Sequence, residues 1–260
     1  MTLSTIRRRA AALALTGIVA GSSLAACGSD DGGSGNKLVT LQVFAAASLT
    51  ESFTTLGKQF EKDHPRTKVV FNFGPSSGLA DSIGSGAPAD VFASASPSNM
   101  DTVVSSGDAK DPEDFATNRM EIALPPDNPA GITALPDLAR KDVKVALCQA
   151  EVPCGKVAAQ VFTNAKLDVQ PATEEVDVKS VLTKVELDQV DAGVVYVTDV
   201  QAAGDKVKGV EIPADVNATT KYPIAALEGS KHQKEASEFV DLVLSDAGAK
   251  VLEEAGFAVP

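Results

Sequence analysis

The sequence contains no tryptophan, only two tyrosines and only two histidines in 260 residues. Without Trp and nearly without Tyr, it is a poor candidate for a carbohydrate receptor built on stacked aromatic platforms, although its ten phenylalanines could stack. His64 and His232 stand far apart beside charged residues, which argues against a metal cation site. Basic residues are also scarce, 23 Lys and Arg against 35 Asp and Glu. Three of the basic residues, Arg7, Arg8 and Arg9, lie in the first 26 positions, which hold no acidic residue. The remainder carries 20 basic against 35 acidic side chains, a net charge of −15. So acidic a chain is not expected to bind nucleic acid or an anionic membrane surface.

Long apolar runs are missing as well. Ala10 to Gly21 is apolar but too short to span a bilayer. Preceded by three arginines, it reads as the hydrophobic part of a signal peptide over residues 1–26. Leu24-Ala25-Ala26-Cys27 then resembles a bacterial lipobox, so Cys27 is expected to carry the lipid and become the mature N-terminus. An ordinary signal peptide with an incidental cysteine is the alternative. Residues 27–37 are rich in Gly, Ser and Asp, as suits a flexible tether from membrane to domain. Two further cysteines, Cys148 and Cys154, lie six residues apart in a chain expected to leave the reducing cytosol. A disulfide is expected, with two buried free thiols as the alternative.

From Leu38 onward, short apolar runs alternate with helical periodicity, which predicts an α/β fold with a largely parallel sheet. Strands are predicted at 39–45, 68–73, 90–93, 120–124, 144–148, 193–197, 210–213 and 222–227. Helices are marked by Leu49, Phe53, Leu56 and Phe60; by Val157, Val161 and Ala165; by Val178, Val181, Leu182 and Val185; and by Ala236, Phe239, Val240, Val243 and Leu244. Ser230 with Gln233 reads as a capping box opening the last of these, and a final helix stops at Gly256. A composition break at 111–118 and a proline-rich patch at Pro125, Pro126 and Pro129 suggest a domain crossing, with a second near 196–201. The expected organisation is a first domain of 38–119 plus 200–260 and an inserted second domain of 120–199.

Three strand-to-helix junctions are built from small, hydroxyl-rich sequence, and helix N-termini present free N–H groups to an anion. They are Phe44 to Glu51, with Ser48 and Glu51 spaced as a capping box; Gly74 to Ala80, with Ser76 and Ser77; and Val152 to Lys156. Each alone reads more simply as a plain helix cap. Asp90 is read as a structural cap or turn residue and Asp81 as a first-turn helix charge.

Taken together, the runs AAASLTESF, SSGLADSIGSGAPADVFASAS, VPCGKVA, GVVYVTD and KYPIAALEG resemble, in order and spacing, the periplasmic molybdate-binding proteins. GAPADVF is shared with wider relatives, including sulfate-type receptors. The resemblance implies a two-domain, hinge-connected periplasmic-binding-protein fold of type II with its ligand in the interdomain cleft. It also implies an extracytoplasmic receptor that captures molybdate or tungstate without a cofactor and delivers it to the membrane permease of an ABC importer. Such a protein is expected to be a monomer, here anchored to the cell membrane through Cys27. The implied ligand residues are Ser48 and Ser76 through hydroxyl and N–H, Cys154 and Val178 through N–H alone, and Tyr196 through its phenol. Cys154 departs from the family, whose best-known members resemble alanine there; since only the amide is used, binding need not suffer.

Sulfate is the nearest alternative ligand, and phosphate is disfavoured because it keeps a proton at neutral pH and needs an acceptor. A serine hydrolase using Ser48 or Ser76 is a distant alternative, set aside because no G-x-S-x-G nucleophile elbow is read and neither histidine is well placed.

Overall fold

The computed structural model describes residues 38–260; the signal peptide, Cys27 and the tether lie outside the described residues. The first strand, β1 (Val39–Ala46), runs parallel to β2 (Thr67–Gly74) on one side and β3 (Val91–Ala93) on the other. The connecting helices are α1 (Thr50–Asp63), entered through a 3-10 turn at Ala47–Leu49, and α2 (Ser76–Gly84). Helix α3 (Pro97–Ser105) follows β3. Strand alternation divides the side chains between two layers. Leu41, Val43 and Ala45 join Phe53, Leu56 and Phe60 of α1 in one core, while Phe44 turns the other way to meet Leu79, Ile83 and Met100.

Strand β4 (Glu113–Leu124) carries the chain across the molecule. Its first half pairs antiparallel with β9 (Thr219–Ala226), which in turn pairs with β3. Its second half pairs with β7 (Ala192–Tyr196) and β8 (Lys208–Glu211). Beyond β7 lie β5 (Val145–Cys148) and β6 (Thr173–Glu175), so one sheet runs β2-β1-β3-β9-β4-β7-β5-β6 with β8 on the side of β4. The second half has its own core, fed by α4 (Pro153–Ala165), α5 (Val178–Glu186) and α6 (Val197–Ala203). We call the two parts the first and second lobes after these separate cores. Helices α7 (Gln233–Leu244) and α8 (Asp246–Glu254) return to the first lobe, where Phe239, Val243 and Leu252 pack on its core.

Three sequence expectations change. The sheet is mixed rather than largely parallel: four strand pairings are parallel and four antiparallel among the described residues. The stretch read as a composition break is the first half of β4, whose polar Glu113, Asp114 and Asn118 hide the apolar Phe115 and Ala116 that enter the core. The chain also returns to the first lobe later than position 200. Val207 and Ile212 belong to the second core, with Val200, Ala203 and Val210 packed against it, so residues 200–218 stay with the second lobe.

Asn217 holds the two crossings together. Its Nδ2 donates to Met120 O at 2.8 Å and its Oδ1 accepts from Met120 N–H at 3.2 Å. That side chain completes the pairing of β4 where its neighbours change from one lobe to the other.

No described helix is long and apolar enough to cross a membrane.

Candidate functional site

The junctions singled out in the sequence meet at one small cavity of about 20 Å³ between the lobes. Ser48 and Ser76 line it from the first lobe, and Cys154, Val178 and Tyr196 from the second. All five are at least 95% buried. The ends of β1, β2, β5 and β7 and the loop before α5 all open on this side, which is where an open α/β sheet collects its ligand-binding loops.

Each helix start leaves donors without an intrahelical partner. In α2 the first bond of the helical ladder is Leu79 N–H to Pro75 O, so the N–H groups of Ser76, Ser77 and Gly78 precede it. In α4 the first is Lys156 N–H to Val152 O; Pro153 brings no donor, and Cys154 and Gly155 do. In α5 the side chain of Asp177 caps Ser180 N–H at 2.8 Å, leaving the N–H of Val178 outside that cap. The Ser76 hydroxyl accepts from Ala95 N–H at 3.0 Å, which keeps its proton available to a ligand.

The cysteines are joined. Cys148 and Cys154 form a disulfide with Cα atoms 5.8 Å apart, tying the end of β5 to the first turn of α4. Gly155 is required here, because a Cβ at that position would run into the backbone carbonyl of Gln149 in the bridged loop.

Tyr196 ends β7 with a side chain 1% exposed, and its hydroxyl makes no well-aligned hydrogen bond among the described residues, the Tyr222 hydroxyl being the side-chain group that acts on it. Tyr222 lies edge-on to it, ring centroids 6.3 Å apart. Burial, reinforced by Tyr222 and Asp199, pushes the Tyr196 phenol far above its ordinary pKa, so it stays a neutral donor. The Tyr222 hydroxyl is 2.9 Å from Ser48 Oγ. Neither Tyr222 nor the charged groups behind the site were singled out as ligand-side residues from sequence, although KYPIAALEG contains Tyr222.

Those charged groups are Glu51, Lys179 and Asp199. Lys179 Nζ lies 2.9 Å from both carboxylate oxygens of Glu51 and 3.1 Å from Asp199 Oδ1. The Asp199 contact has the distance of an ion pair without hydrogen-bond alignment, and its Oδ2 accepts from Tyr196 N–H at 3.1 Å. Burial raises the Asp199 pKa to about 6 even with Lys179 beside it. Burial lowers that of Lys179, but Asp199 and Glu51 outweigh it and leave the ammonium firmly charged.

Two capping boxes read from sequence do not form. Glu51 turns to Lys179 rather than back to its own helix, and the Ser48 hydroxyl goes to Tyr222. Ser230 donates instead to Asp90 Oδ1 at 2.6 Å, and Gln233 bonds Leu227 O. Asp90 also accepts from Gln42 N–H at 2.7 Å, the structural role read for it. Asp81 sits beyond the first turn of α2, exposed.

The sequence around Ser76 requires a correction. Gly74-Pro75-Ser76-Ser77-Gly78 does carry the letters G-x-S-x-G between a strand and a helix. Its conformation differs from a nucleophile elbow, since Ser76 is the first residue of α2 without the positive φ of a strained turn. Its hydroxyl is engaged by Ala95 N–H rather than by an imidazole. His64 stacks on Phe60 with centroids 4.0 Å apart and faces Glu238.

The cavity therefore has a donor-rich wall with no Lys or Arg lining it, and its single lining carboxylate, Asp177, is occupied as a cap. A mixed α/β sheet split into two cored lobes, with helix starts from both converging on one buried cavity, defines a binding protein of the periplasmic type. The chain belongs to the bacterial extracellular solute-binding protein family, whose profile matches residues 41–258. It is 40% identical to the molybdate-binding protein ModA of Mycobacterium tuberculosis, covering 94% of this chain and 95% of that one. It is 30% identical to ModA of Escherichia coli over 96% of each chain. The periplasmic molybdate-binding protein of Azotobacter vinelandii shares the fold, with a TM-score of 0.75 at 19% identity over 85% of this chain and 99% of that one.

Proposed function

We propose that the protein is the receptor of an ABC importer that captures molybdate or tungstate in the cavity between its lobes, and that Ser48, Ser76, Cys154, Val178 and Tyr196 hold the anion. The observation that carries this reading is the meeting, at one cavity, of helix starts with N–H groups outside the helical ladder and the buried Tyr196 hydroxyl, since a buried donor left without an acceptor costs about 1–3 kcal/mol. A tetrahedral oxyanion supplies the missing acceptor. A fully ionised dianion has no proton to donate, so its site needs donors and no open carboxylate. Backbone N–H groups of Ser48, Ser76, Cys154 and Val178 and the hydroxyls of Ser48, Ser76 and Tyr196 answer that need, with helix dipoles in place of cationic side chains.

The names of the Mycobacterium tuberculosis and Escherichia coli relatives, at 40% and 30% identity, support molybdate over sulfate. Phosphate fits less well because the one carboxylate at the wall, Asp177, already accepts from Ser180 N–H through Oδ1 as a helix cap. The environments of Ser48 and Ser76 support binding rather than hydrolysis, as neither hydroxyl meets a histidine. The lipobox at Cys27 supports anchoring of the exported chain to the outer face of the membrane, where it would meet its permease. The anion contacts both lobes, so binding would close them about β4 and the 212–218 return.

A thermal-shift panel on the purified mature chain tests the reading. Molybdate and tungstate at equal concentration should each raise the melting temperature, sulfate less, and phosphate hardly at all. Stabilisation by phosphate or by none of the anions would contradict it.

A further inference from the structure

We propose that Lys179 and Glu51 form a clasp across the cleft that sets how slowly the bound anion is released. This rests on the anion site proposed above and assigns it a control element outside the ligand shell.

The geometry is unusual in its placement. Lys179 directly follows Val178 at the start of α5, Glu51 lies three residues beyond Ser48 on α1, and Asp199 lies three beyond Tyr196 on α6. Each charged residue is thus one to three positions from a residue of the cavity wall. Helices α5 and α6 both pack into the second core, whereas α1 packs into the first. The Lys179–Asp199 contact is therefore internal to the second lobe, and the Glu51–Lys179 contact joins the two lobes.

Any motion that parts the lobes must break the two 2.9 Å contacts from Lys179 to Glu51 while leaving Lys179 on Asp199. Asp199 is completely buried and also fixed by Tyr196 N–H, so it holds the ammonium in place for Glu51. The Lys179 side chain is 22% exposed and that of Glu51 51%, so the pair is shielded on one side and reachable by water on the other. A contact present only in the closed state slows opening and leaves capture by the open state unaffected. The only other charged side chain bordering Glu51 in the adjoining cavity is Glu254, whose backbone carbonyl accepts from Gln201 Nε2 at 2.6 Å.

The test is stopped-flow measurement of molybdate association and dissociation on the mature chain, with wild type, Glu51→Gln, Lys179→Met and the double variant. Glu51→Gln decides, because it removes a half-exposed charge and leaves the buried Lys179–Asp199 pair intact. It should speed dissociation about twofold to fivefold with the association rate unchanged. The double variant should dissociate no faster than Lys179→Met alone, since both single changes break the same contact. Wild type that binds molybdate together with Glu51→Gln that releases it at the wild-type rate overturns the clasp and leaves the function standing. Equal changes in both rates also overturn it. If wild type fails to bind molybdate, the proposed function fails first and the clasp with it.

Discussion

The Ser48 and Tyr222 hydroxyls lie 2.9 Å apart, fully buried and 174 residues distant in the chain. Ser48 can donate to an anion only if Tyr222 donates to Ser48, so the second tyrosine fixes the direction of the first serine's proton. Burial, the largest influence, raises the Tyr222 pKa well above its ordinary value, which keeps this donor protonated throughout the physiological range. Tyr222→Phe should lower molybdate affinity several-fold while costing about 1 kcal/mol of stability, the worth of one neutral hydrogen bond. Titration calorimetry with parallel denaturation checks both; unchanged affinity would mean that Ser48 does not act through its hydroxyl.

Tyr196→Phe separates binding from folding. In the free protein it deletes a buried hydroxyl with no well-aligned hydrogen bond, its one interacting side-chain hydroxyl being that of Tyr222, so stability should change by less than about 1 kcal/mol. With molybdate it should lose roughly ten- to a hundredfold in affinity, corresponding to about 1.5–3 kcal/mol for a hydrogen bond to a charged group. Ser76→Ala should lose a similar factor of affinity. It should also cost stability, because the Ala95 N–H forfeits its acceptor.

The disulfide and the anion site share a residue but not a chemical group. Cys154→Ala keeps the amide and should keep most of the affinity. It opens the short loop to Cys148 and should cost roughly 2 kcal/mol of stability by the loop-entropy relation. Thermal denaturation of the variant with and without reductant checks this, because reductant should lower the wild type toward the variant and leave the variant unmoved.

Asp199 gives the protein a pH signature. Its folded pKa of about 6 lies above the ordinary carboxylate value of 3.8, so between these limits the folded state keeps a proton that the unfolded chain releases. The stability contributed through this group is therefore present at about pH 4 and declines as pH rises through 6, by on the order of 3 kcal/mol. The stability of wild type relative to Asp199→Asn should fall over that window and then level off. Affinity for molybdate should be flat from about pH 7 to 9, as no cavity group titrates there.

Much of this arrangement was legible in the sequence because local chemistry determined it. Ser48, Ser76 and Cys154 lie at strand-to-helix junctions whose small residues announce exposed N–H groups, and Val178 and Tyr196 followed from motif resemblance. The structure brings all five to one cavity. What was not legible depends on distance in the chain. Tyr222 reaches Ser48 across 174 residues, and Glu51 reaches Lys179 across 128. Nothing in the local spacing of Glu51 distinguished a capping residue from a partner on another lobe. The late return at 218 was hidden for a related reason: Val207, Val210 and Ile212 form too short a run to reveal which core they enter.

A cavity rich in donors, without a lining Lys or Arg and with its one carboxylate serving as a helix cap, selects a tetrahedral dianion. The most direct test of that selectivity is a calorimetric titration of the mature wild-type chain with molybdate at pH 8, repeated with sulfate or phosphate already present in large excess. One molybdate should bind per chain, saturably, with some competition from sulfate and none of consequence from phosphate. Absence of binding, or displacement of molybdate by phosphate, would contradict that selectivity.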